Sequence, residues 1–438
     1  MNAARPRGPL GLATATALVV GNMIGSGLFL LPAALAPYGA AALAGWIASA
    51  LGALAIAFVF ARLSRVLPRS GGPYAYARAA FGDGVGFVVA WSYWISIWTA
   101  NAAIAIAFAG YFGALVSAAG ATPLRAACVA VGALWTCTLV NAFGVRSAGR
   151  VQLVATVLKL LPLVAIAVFA LPVADTRDWH PFNRSGLDPW SVLATTTALT
   201  MWAFLGVESA TVPAAAVRDP ARNVPRATLA GTVIAILATV TACTAVSALL
   251  PLDVLARSSA PFADAAAAIW GGAAGRVFAA AAAIACFGAL NGWVLIQGQV
   301  PLAAARDGVF PAIFDRVDRN GTPLTGLFAS SVLASLLVLA NYRQDLVRLF
   351  TFSILLSTAA TLLPYVVCSA ALLRQAAFPG VAGGGRVARV IAAVALLFSL
   401  AAMIGTGAEA LLWGLVLVLA GLPAFAWLRA RRFATRGG

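Results

Sequence analysis

Long apolar runs follow one another along this chain, separated by short polar stretches that carry most of the arginines. A bilayer core of about 30 Å needs about 20 apolar residues wound as helix. Twelve runs come near that length: 10–36, 40–61, 85–117, 126–143, 151–171, 190–217, 227–250, 277–305, 322–340, 346–373, 387–404 and 408–428. The pattern predicts an all-α integral membrane protein of 12 transmembrane helices. The third run holds no charge over 33 residues, so its helix must tilt or protrude. The first run is too long for the apolar part of a signal peptide and reads as a retained helix.

The arginines predict an orientation. With the N-terminus in the cytoplasm, 21 of them fall in cytoplasmic segments and 7 on the opposite face. Basic residues near span ends favour the cytoplasm, so both termini are expected there, in an inner membrane. One basic residue, Lys159, belongs to neither set.

Two runs carry signs of a break. The first contains GNMIGSGLFLLP at 21–32, with Gly21, Gly25 and Gly27 around Ser26 and then Pro32. Each glycine weakens a helix by about 1 kcal/mol relative to alanine. Gly21 and Gly25 also have the spacing of a small-residue packing face, and the residues leave that reading open. The sixth run contains MWAFLGVESATVP at 201–213, where the ionisable Glu208 stands close to Gly206 and Pro213. Runs one and six are five helices apart and so cross the membrane in opposite senses. That suits a 5+5 inverted repeat with its binding site at the two breaks. The expected division is 1–171 for the first repeat, 172–374 for the second, and 375–438 for two extra helices and a tail.

Composition narrows the classes. Hydrophobic residues make up 62%, charged residues 10%, and the mean hydropathy is +0.95, whereas soluble domains carry roughly 25% charged residues. A pI near 11 suggests nucleic acid in a soluble protein. Here arginine-bearing loops account for it, and no nucleic-acid partner is expected. The five cysteines are scattered without metal-ligand spacing, and His180 is the single histidine. An enzyme, a metal site and a cofactor are therefore not expected.

The strings GNMIGSGLFLLP (21–32), SGGPYAYARAAFG (70–82), YWISIWTAN (93–101), MWAFLGVESA (201–210), RDPARNVPRAT (218–228), SAPFADAA (259–266) and GWVLIQGQ (292–299) resemble the amino acid–polyamine–organocation superfamily. Within it they are most like the basic amino acid/polyamine antiporters, first the arginine–agmatine exchangers and then the putrescine–ornithine exchangers. The resemblance implies exchange of a cationic amino acid for an amine by alternating access. It places the substrate's carboxylate and amino group at Ile24, Ser26 and Gly27. It stacks the cationic head on Trp202, a cation–π contact of about 0.5–2 kcal/mol, with hydrogen bonds from Asn101 and Ser357. Trp293 is implied as a middle gate against the aliphatic stem. Tyr93, Glu208 and Tyr365 are implied as a far gate, Glu208 being sensitive to protons. The resemblance also implies a short cytoplasmic helix within SGGPYAYARAA, and members of the family are commonly homodimers.

The chain departs from the arginine-exchanger pattern at Ser96, Ile97, Ile104 and Leu205, which the resemblance places along the side-chain pocket. A changed lining admits a different amine. Lys159 is a second departure. It stands near the centre of the fifth run, where lipid exposure costs at least about 2.5 kcal/mol. In other superfamily members, ones that move amino acids with protons or without sodium, a lysine takes the place of a sodium ion beside the first break. Two roles stay open for it, a fixed structural cation and a group that yields its proton during transport. The alternative function is accordingly a proton-coupled permease with a broader or neutral substrate range, using Lys159.

Overall fold

A computed structural model describes residues 10–24, 26–142, 160–169, 180–319, 321–343, 345–374 and 385–436. At 26–27, 215 and 431–436 it describes the backbone but not the side chains. Lys159 and Gly25 lie outside the described residues, as does the side chain of Ser26.

Among the described residues the regular structure is helical, apart from one parallel bridge between Leu10 and Val217. In chain order the α-helices are α1 (Leu12–Met23), α2 (Leu31–Leu35), α3 (Ala42–Val66), α4 (Pro73–Phe81), α5 (Asp83–Leu115), α6 (Ser117–Gly120), α7 (Pro123–Ala142), α8 (Leu160–Phe169), α9 (Pro189–Met201) and α10 (Pro220–Ser247). Then come α11 (Leu252–Leu255), α12 (Pro261–Trp270), α13 (Gly272–Arg306), α14 (Leu324–Ala340), α15 (Leu346–Leu373), α16 (Gly385–Gly405) and α17 (Ala408–Arg436). Among the described residues, eight helical stretches are long and apolar enough to cross a membrane, and α1, α8 and α14 are shorter apolar helices. Every run read from the sequence contains described helix. The protein is a multi-pass membrane protein.

The centre of the bundle is α5, buried along most of its 33 residues and packed on α13, α15, α7 and α4. The ring around it turns apolar side chains outward: Ile47 and Leu51 on α3, Leu237 on α10, Ile284 on α13, Leu397 on α16 and Leu412 on α17 are all exposed. In water such a surface would be costly, and in acyl chains it is not. Close helix approach relies on small residues. A Cβ on Gly45 of α3 would lie 2.6 Å from Thr196 of α9, and Thr200 donates to the Gly45 carbonyl at 3.0 Å.

The string SGGPYAYARAA does form a short helix, α4, with Pro73 at its first turn. Five contacts fasten this string at one end of the bundle. Arg78 pairs with Asp83 at the start of α5 (2.7 Å) and with Asp307 just past α13 (3.0 Å). The Tyr74 hydroxyl donates to Asp307 at 2.9 Å. Arg374, just past α15, donates to the Ala80 carbonyl at 3.1 Å. Gly71 donates to the Val212 carbonyl at 3.0 Å. Burial first, and then the Asp307 carboxylate that accepts its hydrogen bond, raise the Tyr74 phenol above its ordinary value. At the opposite end, Ala41 donates to the Phe182 carbonyl and Arg184 pairs with Asp253.

Candidate substrate site

The first run is broken where the glycines stand. Helix α1 ends at Met23, and the Ile24 N–H closes its last turn on the Val20 carbonyl at 2.8 Å. Ile24 then leaves helical geometry (φ −77°, ψ 61°), and the chain resumes as a tight 3-10 turn over Ser26–Leu30. That second half is pinned from the side. The Tyr111 hydroxyl of α5 donates to the Phe29 carbonyl at 2.8 Å and accepts from the Phe262 N–H of α12 at 3.2 Å.

The sixth run is broken over a longer stretch. Helix α9 stops at Met201, a 3-10 turn covers Trp202–Phe204, and Leu205 is extended (φ −65°, ψ 141°). Gly206 follows at φ 101°, a region side chains avoid. Two further 3-10 turns, Ser209–Thr211 and Ala214–Ala216, complete the run, so most of 202–217 is not α-helix. The two breaks touch at Gly206. A Cβ there would sit 3.3 Å from the backbone carbon and Cβ of Asn22 and from Ser209 Oγ.

A cavity lies against both breaks. Its space between atoms totals about 450 Å³, but only about 30 Å³ is open to the centres of water molecules. At roughly 10–15 Å³ per water on that measure, it holds about two waters. An amino acid needs side chains to move before it fits. Of the residues singled out from the sequence, Tyr93, Ser96, Ile97, Trp202, Leu205, Glu208, Trp293 and Ser357 line it, as does Ile104.

Among the described candidates, three are not in that wall. Tyr365 stands behind Glu208, and Ile24 is buried elsewhere in the core. Asn101 is buried on α5, beyond the cavity wall, where its Nδ2 donates to Gln297 Oε1 of α13 at 2.7 Å. Its Oδ1 has no partner among the described residues.

Glu208 is wholly buried, with one phenol on each carboxylate oxygen. The Tyr93 hydroxyl of α5 donates to Oε1 at 2.7 Å, and the Tyr365 hydroxyl of α15 donates to Oε2. Among the described residues no lysine or arginine pairs with it. A carboxylate held by neutral donors beside a cavity leaves room there for a positive charge. The neighbouring wall is held just as firmly. Ser357 of α15 donates to the Ser96 carbonyl at 2.7 Å, and Ser92 donates to the Ala360 carbonyl at 2.6 Å. Ser96 itself donates to the Tyr93 carbonyl. Both serine oxygens in the wall keep lone pairs that can accept from an ammonium or guanidinium.

Sequence reasoning missed several residues. Asn22, Met23, Leu28, Ala100, Ala203 and Thr361 also line the cavity. Among the described residues, Asn22 Nδ2 and Ser209 Oγ are buried without partners. An amide between Gly21 and Gly25 was the available signal for Asn22. Gln297 is a hub that lies within the string GWVLIQGQ but received no role from it. It accepts from Asn101 and donates to the Leu327 carbonyl (3.0 Å) and to Ser331 Oγ (2.7 Å), tying α5, α13 and α14 together.

Comparison with known proteins agrees with this architecture. The sequence profile of the amino acid permease family matches residues 10–407. The chain is 31% identical over 417 residues to the putrescine transporter PotE of Escherichia coli strain K12, covering 94% of each chain. It is 31% identical over 421 residues to the putrescine transporter PotE of Haemophilus influenzae, covering 94% of this chain and 95% of the relative. It is 34% identical over 411 residues to the cadaverine/lysine antiporter of Escherichia coli strain K12, covering 90% and 89%. These relatives are transporters and not enzymes. With a profile that spans both breaks, the cavity and the central helix α5, this chain belongs to the amino acid permease family and is a membrane transporter.

Proposed function

We propose that the chain exchanges a cationic amino acid for an amine by alternating access. The observation that carries this is Glu208, a fully buried carboxylate at the cavity with two phenolic donors and, among the described residues, no cationic partner. An ammonium or guanidinium from the substrate supplies that partner. Trp202 and Trp293, both in the cavity wall, supply an aromatic face and a barrier along the substrate's stem. Ser26, Gly27 and Ile24 hold the carboxylate and amino group with peptide groups of the first break. Ser357, Ser96 and Asn101 serve the cationic head. Asn101 Oδ1, buried without a partner among the described residues, is a waiting acceptor once the wall moves.

Arginine with agmatine is the pair the motifs favour. Putrescine, and cadaverine with lysine, are the competing pairs suggested by the relatives. In this reading the twelve runs are twelve transmembrane helices, five and five related by inversion with two outside. Both termini are cytoplasmic, the membrane is the inner membrane, and α4 closes the cytoplasmic side.

Counterflow in proteoliposomes tests the proposal. Vesicles preloaded with arginine, ornithine or lysine take up labelled agmatine, putrescine or cadaverine, with no ion gradient. Exchange requires uptake only when an internal substrate is present. Uptake into empty vesicles driven by a proton gradient contradicts exchange and supports the proton-coupled permease. In that event Lys159→Ala abolishes the pH dependence.

A further inference from the structure

At the end of the bundle where α4 lies, a cavity of about 440 Å³ opens between α3 and α10. Its wall is Arg65 from α3 and Ala221, Arg222, Pro225 and Arg226 from the first turns of α10. Three guanidiniums around one space repel each other unless an anion sits among them. Among the described residues none of the three forms an ion pair. Asp219, the acid closest in sequence, precedes α10 and is not part of the wall. The first turn of α10 also faces the cavity, and its partial positive charge adds to the arginines.

The surface beyond the arginines identifies the anion's source. Arg222 and Arg226 share a helical face with Leu229, Val233 and Leu237, which are spaced three or four apart and exposed at 37%, 44% and 62%. On α3, Arg65 continues a face that runs through the exposed Leu51 and Ile47, and Arg62 lies over the Phe58 ring at 5.4 Å. Both helices thus present an apolar stripe that ends in arginine. A free phosphate uses only the arginines. A phospholipid uses both, with its phosphate among the guanidiniums and its acyl chains along the stripes.

We propose that this cavity binds the phosphate of an anionic phospholipid. The site is separate from the transport cavity and does not depend on which substrate is carried. Native mass spectrometry of the full chain, released from micelles doped with phosphatidylglycerol or phosphatidylcholine, reads the bound lipid directly. The site requires phosphatidylglycerol adducts in excess over phosphatidylcholine. It requires about a hundredfold weaker phosphatidylglycerol binding for the triple variant Arg65→Gln, Arg222→Gln, Arg226→Gln. The matching triple lysine variant keeps the charges and retains most of the binding, which separates loss of the site from loss of the fold. Equal adducts on wild type and the glutamine variant, or equal binding of the two lipids, overturn the proposal. In a parallel arm, inorganic phosphate is titrated while heat stability is followed. Stabilisation by inorganic phosphate equal to that by phosphatidylglycerol assigns the site to a soluble anion and overturns the lipid reading.

Discussion

Replacing Gly206 with alanine tests whether the two helix breaks are mechanically coupled. Gly206 sits at φ 101°, where a side chain costs about 1–3 kcal/mol. The new Cβ would also meet the Asn22 backbone carbon at 3.3 Å, and that atom belongs to the last turn of α1. The strain therefore cannot be relieved by a rotamer change. Either the sixth run re-forms around Leu205 or the first break moves away from it. Both outcomes displace Trp202 and Glu208 relative to Asn22 across a cavity with room for about two waters. A total strain near 2–3 kcal/mol corresponds to a loss of about 30–150-fold in substrate affinity. Gly132 on α7 is the control, because a Cβ there meets nothing within 4 Å. Gly132→Ala gains up to about 1 kcal/mol of helix propensity and leaves transport unchanged. The assay is labelled-substrate binding to purified protein, with heat stability in parallel. Wild-type affinity in Gly206→Ala would refute the coupling.

Three further outcomes follow from particular contacts. Glu208→Gln removes the only charge of the phenol-carboxylate cluster and weakens amine binding by about a hundredfold or more, since an unpaired buried charge costs about 3–5 kcal/mol; equal binding in competition assays contradicts the role given to Glu208. Asp307→Asn loosens α4 by releasing Arg78 and Tyr74. This exposed pair is worth about 1 kcal/mol at most, so maleimide labelling of Cys368, which contacts the Pro73 carbonyl under α4, speeds up by at most about fivefold in a Cys128→Ser background; an unchanged rate argues that α4 is held by other contacts. Asp188 caps α9, and hydrogen bonds from Ser191 hold its carboxyl below the ordinary carboxylate value. The folded value is the lower one, so the stabilisation is complete above the ordinary carboxylate range and fades as pH falls through the depressed value; the melting-temperature difference between wild type and Asp188→Ala should shrink on acidification, and a difference independent of pH contradicts the cap.

What the sequence revealed follows from the physics of each feature. Membrane helices are visible because the bilayer sets one length, and residues 346–373 and α15 coincide to the residue. The breaks were legible because glycine, proline and a buried acid are costly in an apolar run, and both breaks fall where those residues stand. The extent of the second break was less legible, since Val207, Ala210 and Ala214 are as apolar as any helix interior. Pairings between distant helices left no trace in one dimension. Gln297 meets Asn101 across 196 positions, and Trp94 donates to Ser330 Oγ across 236. Only the packing of α5 against α13 and α14 makes those neighbours. The contact of Asn101 Nδ2 with Gln297 is of this kind, since that buried glutamine oxygen needs a donor that no local pattern supplies.

The most direct test is an experimental structure of the protein with a bound cationic amino acid. The account requires the substrate between the two breaks, its carboxylate end within hydrogen-bond distance of the 26–30 turn and its positive end beside Trp202 and Glu208. Substrate density elsewhere, or helices wound without interruption through residues 24–26 and 202–209, would contradict it.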